Sequence, residues 1–424
     1  MIKIVLLILF YIFFPLLIIF LCRKITVLQK LGAIALAYGF GLILGSSGIL
    51  PSGSESYKKA LQARSTIPTA EMTQLISAGT ISAEDEFVNQ IGAVQNTVPI
   101  VIIPLAFPLL LFSLDIKKWL KYAKKGYISV LLALVSGIVM VTAGFFIWKN
   151  SIPESWKLAG MFEGIYTGAT MNFVAIKMAL NVDPNLFVIV STYDIIIGAV
   201  LVAFFITVAP RLFRAILPEF NEGTEGTSDT EIVAQETENL EDFSGMLNRK
   251  TLVPLLKAVG ISIIIFAIAG GLSLALPMIP QMVVVILTIT TLGILASLVK
   301  KINSIEKTFQ LGMYLIIIFS LVIASQADIK TMFGIGMLNL VLFITWCYFG
   351  SLVLHLILAK IFKVDADNFL ITSAAFIFSP PFVPLVANAL KNKSVIVTGI
   401  TGGILGMILG NYFGIALGYF LKHF

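Results

Sequence analysis

The sequence predicts an all-α polytopic membrane protein built from two inverted repeats of five transmembrane helices, each repeat with an interrupted or re-entrant segment. Three observations predict this fold class. The 424 residues are 58% hydrophobic and 12% charged, with a mean hydropathy of +0.99, which is more apolar than a soluble domain requires. Apolar segments of transmembrane length recur along the chain. Short motifs also return about half a chain apart.

Twelve apolar segments account for most of the chain. The first follows a single lysine and is not followed by a small-residue cleavage pattern, so we expect a retained helix rather than a removed signal peptide. The twelve segments are 2–21, 31–50, 91–114, 126–147, 156–180, 186–209, 252–274, 281–299, 309–327, 332–361, 369–390 and 395–421.

An acidic stretch divides the segments into two sets of six. Residues 217–247 contain nine carboxylate side chains and no lysine or arginine, a composition typical of a disordered linker. We therefore predict three parts: 1–216 as the first repeat, 217–248 as the linker and 249–424 as the second repeat. Residues 51–89 form a second polar stretch, which we expect to be a loop of mixed charge.

Two motif pairs support the repeat. The tripeptide Asp115-Ile116-Lys117 returns as Asp328-Ile329-Lys330, at an offset of 213. The end of the fifth segment, FVAIKMALN, superposes on VPLVANALK at the end of the eleventh, at an offset of 210. Two similar offsets near half the chain length indicate internal duplication.

The distribution of cations predicts the topology, since cytoplasmic loops are enriched in lysine and arginine. If all twelve segments cross, 12 cations lie inside and 16 outside. If the fifth and eleventh segments are re-entrant hairpins, 19 lie inside and 9 outside, with Lys257 left out of both counts. The hairpin topology gives five crossings per half, inverts the second half and places both termini outside. A broken helix that still crosses is the alternative geometry.

The composition of the two exceptional segments favours an interruption. The fifth has Gly160, Gly164 and Gly168, and the eleventh has Ser379-Pro380-Pro381 followed by Pro384. Glycine loosens a helix and proline removes a backbone donor. The freed backbone groups are tolerated at bilayer depth only where they face protein or a watery cavity.

Asp194, in the sixth segment beside Ser191, is the first candidate for ion binding, because an embedded carboxylate normally pairs with an ion, a proton or a donor. Thr167, Thr170 and Asn172 offer neutral oxygens that suit a hard cation such as sodium. We predict Asp194, Asn172 and Thr170 as the metal ligands; capping and packing are the alternative roles. Glu163 and Lys177 flank the same break and would form an internal pair or lie near a mouth.

Further polar residues are candidates of second rank. Gln95 and Asn96 precede three prolines of the third segment, and Gln326 lies at the end of the ninth. Ser379 and Thr401 belong to the corresponding polar set of the second half. The glycines of the last segment, Gly402 to Gly414, predict close helix packing.

Several function classes are excluded or disfavoured. The only cysteines, Cys22 and Cys347, lie in or beside apolar segments and predict neither a disulfide framework nor a thiolate metal site. The net charge of +6 resides in loops, which favours a topological role over nucleic-acid binding. No Walker, zinc-protease or nucleophile-elbow motif occurs, so we do not expect an enzyme.

Two motifs carry a resemblance to a family. GIYTGATMNFVAIKMAL, with Asp194 downstream in VSTYDIIIG, resembles the first signature of the YjcL-like family of uncharacterised membrane proteins. TSAAFIFSPPFVPLVANAL with GGILGMILGNYFG resembles the second. The sequence departs from the usual pattern at Gly168-Ala169 and at Phe378-Ser379-Pro380, where the family has glycine pairs. The resemblance implies a fold similar to the sodium/glutamate and bile-acid sodium symporters, and it implies no substrate.

These observations together predict a secondary active transporter in a bacterial-type plasma (inner) membrane. We expect it to couple a sodium ion or a proton to a small organic anion, such as an amino acid or a short acidic peptide, by alternating access. A sodium/proton antiporter and a non-transporting membrane scaffold are the alternatives. The expected partners are the substrate and the lipid bilayer; a homodimer is also open.

Overall fold

The regular secondary structure is helical in the residues that the computed structural model describes, which are 2–25, 28, 32–61, 66–114, 126–220, 242–246, 248–327, 337–378 and 380–424. Its α-helices in chain order are α1 Ile2–Lys24, α2 Ala33–Ser46, α3 Glu55–Leu61, α4 Thr69–Ser77, α5 Ala83–Phe112, α6 Tyr127–Trp148, α7 Ser155–Ala179, α8 Pro184–Thr207, α9 Ala209–Arg214, α10 Arg249–Ala275, α11 Gln281–Ser297, α12 Lys300–Asn303, α13 Thr308–Ala324, α14 Met337–Ile361, α15 Ala366–Phe378, α16 Val383–Leu390 and α17 Ile396–Leu421.

Eight of the described helices are long and apolar enough to cross a membrane, namely α1, α5, α6, α8, α10, α13, α14 and α17. Helices α2 and α11, which the sequence predicts as crossings, have 14 and 17 residues. At 1.5 Å per residue, α2 is about 21 Å long, which is shorter than the hydrocarbon layer of about 30 Å. The integral membrane character is therefore confirmed, and five full crossings per half remain a prediction.

The chain divides into two compact units. Unit 1 comprises residues 1–103, 183–189 and 313–334, and unit 2 comprises 104–182, 190–312 and 335–424. In unit 1 the polar stretch after α2 is more ordered than the loop that the sequence predicts: α3, α4 and the start of α5 enclose a small core of Tyr57, Ile67, Met72 and Ile81. Most of the acidic linker, and both copies of the Asp-Ile-Lys motif, lie outside the described residues.

In unit 2 the segment Ser155–Ala179 is helical along its length but folds back on itself. A methyl group built on Gly160 would lie 3.0 Å from Leu180 Cδ1, and one on Gly164 would contact Ile176. The Lys157 ammonium also donates to the Asn181 carbonyl at 2.9 Å. In a straight helix Gly160 and Leu180 would be about 30 Å apart. The segment is therefore a helical hairpin, called hairpin 1, whose two arms meet around Gly168–Asn172.

A second helical hairpin, hairpin 2, consists of α15 and α16. Its arms lie side by side, since Gly399 of α17 faces both Ile371 and Val383. The chain reverses between Phe378 and Val383, where Pro380–Phe382 forms one turn of 3-10 helix. Pro380 has no backbone N–H and cannot donate a helical hydrogen bond, so α15 ends before it. The motif FVAIKMALN and its counterpart VPLVANALK thus occupy equivalent positions, the second arms of the two hairpins.

An ion pair fastens the open end of hairpin 2. Arg214 of α9 donates to both carboxylate oxygens of Asp367 at 2.8 Å and to the Leu390 carbonyl at 2.7 Å. Asn392 donates to the same carboxylate at 2.9 Å. Because Asp367 begins one arm and Leu390 ends the other, a bidentate guanidinium holds the two arms together.

Both hairpins pack along α17, from opposite ends. The open end of hairpin 1 lies near the carboxyl end of α17, where Gly418 approaches the Trp156 carbonyl. The first arm of hairpin 2 runs in the other direction: Ile371 faces Gly399 and Ala375 faces Gly403. The tips of the hairpins consequently converge near the middle of α17, at Gly403–Gly410, as the glycine stripe predicts.

Candidate ion- and substrate-binding site

The tip of hairpin 1 presents Asn172 to the middle of α17. The side chain is 0% exposed, and its Nδ2 donates to the Gly406 carbonyl at 3.2 Å. Its Oδ1 has no hydrogen-bond partner within the described part of the chain. An amide oxygen that is buried without a donor is available to a cation or to a substrate donor.

Thr167 lies one turn before the reversal and is also buried. Its hydroxyl donates to the Glu163 carbonyl at 2.8 Å, and its own carbonyl oxygen lies against Gly406 so closely that a side chain on that glycine would overlap it. Thr170, at the reversal itself, is half-buried. The backbone approach of hairpin 1 to α17 therefore depends on the absence of a side chain at residue 406.

The second half contributes further oxygen atoms. Thr401 of α17 is buried, and its Oγ1 has no hydrogen-bond partner among the residues described. Thr372 Oγ1 of hairpin 2 and Asn411 Oδ1 are also buried without a hydrogen-bond partner among the described residues. The Nδ2 of Asn411 donates to Thr290 Oγ1 at 3.1 Å. Ser379 lies outside the described residues. Thr401 is a site residue predicted from the sequence, and the structure adds Thr372 as a buried hydroxyl.

Asp194 lies on α8 beside the buried Ser191 and accepts a hydrogen bond from the hydroxyl of Tyr348 on α14. This phenol was not among the candidates from the sequence, because no local pattern connects it with Asp194, 154 residues away. No hydrogen bond joins Asp194 to Thr170 or Asn172 in the described chain. The predicted metal set of these three residues therefore stays a prediction.

The second-rank candidates Gln95 and Gln326 come together in unit 1. Gln326 donates to the Gln95 carbonyl at 2.9 Å, and the Gln95 side-chain amide donates to Ser325 at 2.9 Å and to Tyr11 at 3.2 Å. Asn96, the next residue, is half-buried. The shared hydrogen bonds tie α1, α5 and the end of α13 to one another, so this cluster is connected within itself, in contrast to the unpartnered oxygens at the hairpin tips.

For Glu163 the sequence leaves two roles open, an internal pair with Lys177 or a place near a mouth. The antiparallel arms set Lys177 opposite to it, yet both Glu163 carboxyl oxygens are buried with no hydrogen-bond partner in the described residues. No hydrogen bond therefore joins the Glu163 carboxyl group to Lys177 in the described part of the chain. The position of this acid directly before Gly164, on the glycine-rich arm, is the sequence signal that it would be buried.

Comparison with known proteins gives a family but no activity. A family model described as "Protein of unknown function (DUF819)" matches residues 66–424. The uncharacterized membrane protein YjcL of Bacillus subtilis (strain 168) is 24% identical over 343 residues, which cover 78% of this chain and 84% of that protein. These matches confirm the family that the sequence motifs resemble and agree with an integral membrane protein.

Proposed function

Since the chain belongs to the DUF819 family of proteins of unknown function, its function has to be inferred from its own site, and we propose that it is an ion-coupled secondary active transporter. The observation that carries this proposal is the convergence of two helical hairpins on the middle of α17 from its opposite ends. If α17 crosses the membrane, the tips lie near mid-depth, where backbone that has left a helix must face protein or a watery cavity.

The order of elements supports an inverted repeat as the basis of transport. Apart from the short helices α3, α4, α9 and α12, each half has four described helices, then a hairpin, then one helix. Helices α1, α2, α5 and α6 precede hairpin 1 and α8, and helices α10, α11, α13 and α14 precede hairpin 2 and α17. An odd number of crossings per half would orient the halves oppositely. In transporters of this kind, substrate and coupling ions bind where the interrupted segments meet.

The chemistry of the tips supports a cation and an anion as ligands. The buried oxygens of Asn172, Thr167 and Thr401, together with the carboxylate of Asp194, suit a hard cation such as sodium. The second arm of each hairpin begins at the tip, so its amino-terminal dipole end favours an anionic group. We propose a small organic anion, such as an amino acid or a short acidic peptide, as the substrate.

Exchange of sodium for protons is the second candidate function, and the buried, unpartnered carboxyl group of Glu163 is the observation that favours it. An antiporter would move the two cations in opposite directions and would need no organic substrate. Both functions use alternating access, in which the hairpins open in turn to each side.

Uptake into proteoliposomes tests the proposal. Purified full-length protein is reconstituted, a sodium gradient is imposed, and accumulation of radiolabelled L-glutamate, L-aspartate and a glutamyl-glutamate dipeptide is measured. We expect gradient-dependent uptake of at least one probe, at least tenfold lower in Asp194→Asn and Asn172→Ala and unchanged in the control Glu84→Gln, an exposed acid.

A proton-sensitive dye inside the same vesicles distinguishes the second candidate. Proton efflux on addition of sodium, without uptake of any probe, would support sodium/proton antiport and contradict symport. Probe uptake that is independent of both gradients and survives Asp194→Asn would contradict ion coupling.

A further inference from the structure

A groove of about 250 Å³ lies between α6, α17 and the first arm of hairpin 2, within unit 2. We call it the α6–α17 groove. Its lining includes Tyr127, Leu131 and Leu134 of α6, Phe376 of hairpin 2, and Leu405 and Leu409 of α17. Apart from the tyrosine hydroxyl, these side chains carry no polar atom. The contacts that the groove offers are therefore apolar, which suits a hydrocarbon occupant.

The α6–α17 groove opens toward the bilayer. Both of its helical walls, α6 and α17, are long and apolar enough to cross a membrane. Leu131 and Leu409 at its rims are 55% and 37% exposed, whereas Phe376 and Gly406 at its floor are buried. Because exposed leucines of crossing helices face hydrocarbon, the groove is a recess in the lipid-facing surface.

The two helical walls run in the same direction. A methyl group built on Gly126 would meet Thr398, and one built on Gly402 would lie 2.9 Å from Val130 Cγ2. Each helix advances by four residues between these two contacts, so α6 and α17 are parallel along the groove. The groove therefore follows the helix axes, which is also the direction of a lipid acyl chain beside a crossing helix.

One end of the groove lies at the amino end of α6. Tyr127 is the first residue of this helix, and from there to Leu134 the lining extends about 10 Å toward mid-depth. In the sequence Lys124 and Lys125 directly precede this end, although both lie outside the described residues. Tyrosine favours the membrane interface, and interfacial lysines attract anionic lipid headgroups. This end consequently suits a headgroup and the remainder suits its acyl chain.

The floor of the groove is shared with hairpin 1. The Thr167 carbonyl rests against Gly406, and the Phe376 ring packs against the Tyr166 ring with centroids 6.0 Å apart. An occupant of the groove would therefore support two residues that contact hairpin 1 from the other side.

We propose that the α6–α17 groove is a binding site for an anionic phospholipid, one acyl chain of which fills the groove. A helix of a second copy, about 10–12 Å across with its side chains, is too wide to enter a groove of this volume. An acyl chain has no such restriction, and the predicted topology places the lysine-rich end in the inner leaflet. The site does not depend on which substrate the protein carries, nor on whether it is a transporter.

Photolabelling in vesicles tests the site without a transport assay. Full-length protein is reconstituted in phosphatidylcholine with a fixed trace of phosphatidylglycerol that carries a diazirine in one acyl chain, and labelled peptides are identified by mass spectrometry. We expect labelling of 127–134 and 405–409 that falls at least fivefold as unlabelled phosphatidylglycerol replaces phosphatidylcholine. Labelling around the exposed Ile264 of α10 should stay constant, because it depends only on the fraction of probe. The same diazirine chain on phosphatidylcholine should label the groove at least fivefold less.

A matched pair of tryptophan variants locates the labelled site. Leu405→Trp fills the groove and should reduce its labelling at least fivefold, whereas Ile264→Trp adds the same side chain to the lipid-facing surface of α10 and should not. Both variants are first checked for monodisperse elution and for a thermal transition near that of the wild type. Leu134→Phe, also in the lining, takes the place of Leu405→Trp if that variant does not fold.

Three results would contradict the proposal. Labelling of the groove that follows that of α10 in every condition would mean that only bulk lipid covers it. Equal labelling by the two probes would rule out recognition of an anionic headgroup. A disulfide between two chains of Leu131→Cys, made after replacing Cys22 and Cys347 by alanine, would assign the groove to a second copy.

Discussion

At the scale of single residues, the contact between Thr167, Asn172 and Gly406 decides the position of hairpin 1. Asn172 donates to the Gly406 carbonyl, while the Thr167 carbonyl rests on the Gly406 Cα. A side chain at residue 406 would overlap the Thr167 carbonyl, so this contact cannot form unless residue 406 is glycine. The same small residue therefore brings the Thr167 carbonyl oxygen and the Asn172 side chain, whose Oδ1 has no hydrogen-bond partner among the described residues, close to the middle of α17, where the proposed ligands would bind.

We predict that Gly406→Ala destabilises the protein, because the added methyl group overlaps the Thr167 carbonyl and forces the hairpin away from α17. Overpacking of this kind costs about 1–3 kcal/mol. Thermal unfolding in detergent measures the change. The control is Gly271→Ala on α10, where an added methyl group would meet no atom within 4 Å; it should be neutral or stabilising by about 0.5–1 kcal/mol. Equal transitions in the two variants would mean that hairpin 1 does not pack this closely.

At the scale of elements, the hairpins show how helical hydrogen bonding can coexist with a reversal of the chain. Hairpin 1 turns in a glycine-rich stretch and stays helical on both sides, whereas hairpin 2 turns at prolines and ends α15 outright. Their open ends are fastened differently. Lys157 bridges hairpin 1 to the Asn181 carbonyl, and Arg214 clamps hairpin 2 through Asp367.

We predict that cysteines placed at Lys157 and Asn181 can be joined within one chain by a short bismaleimide. The two residues are in contact across the open end of hairpin 1, whereas a straight helix would separate them by about 36 Å. The variant is made after replacing Cys22 and Cys347 by alanine, and the cross-linked peptide pair is identified by mass spectrometry. Single-cysteine variants control for links between chains. Failure to cross-link in folded protein would favour a straight helix.

At the scale of the whole molecule, the cation count and the ends of α17 lead to the same topology. The open end of hairpin 2 carries Lys391 and Lys393 and is clamped by Arg214. The open end of hairpin 1 lies beside the other end of α17, where Lys422 stacks on Trp156 at 5.3 Å from the ring centroid. If the amino-terminal end of α17, which lies beside these cations, faces the inside, the carboxyl terminus lies outside.

We therefore predict an outside carboxyl terminus. Alkaline phosphatase fused after Phe424 should be active and a green fluorescent protein fused there should be dark in a bacterial host. Reporters inserted in the acidic linker after Phe220 should give the reverse, because the linker follows the inside cations Arg211 and Arg214. Fluorescence from the carboxyl-terminal fusion would contradict the predicted orientation and the hairpin topology on which it rests.

The sequence by itself determined the membrane class, the positions of most helices, the two exceptional segments and the family. These properties are local: apolar length, cation placement, and glycine or proline spacing act on residues that are near in the chain. The sequence also identified Asn172, Thr167, Thr401 and Asp194 as polar groups that need a reason to be buried. The sequence predicts an apolar segment that begins at residue 91, whereas α5 begins at Ala83, because the polar residues before residue 91 belong to the helix.

Only the tertiary structure decided which of these groups meet. Tyr348 bonds to Asp194 across 154 residues, Gln95 and Gln326 share a cluster, and the glycine stripe of α17 receives two hairpins from opposite ends. Glu163 gives the physical reason. In sequence it has a lysine placed to pair with it, but whether a buried charge is paired depends on where side chains point after the arms have packed, and that is set by contacts distant in the chain.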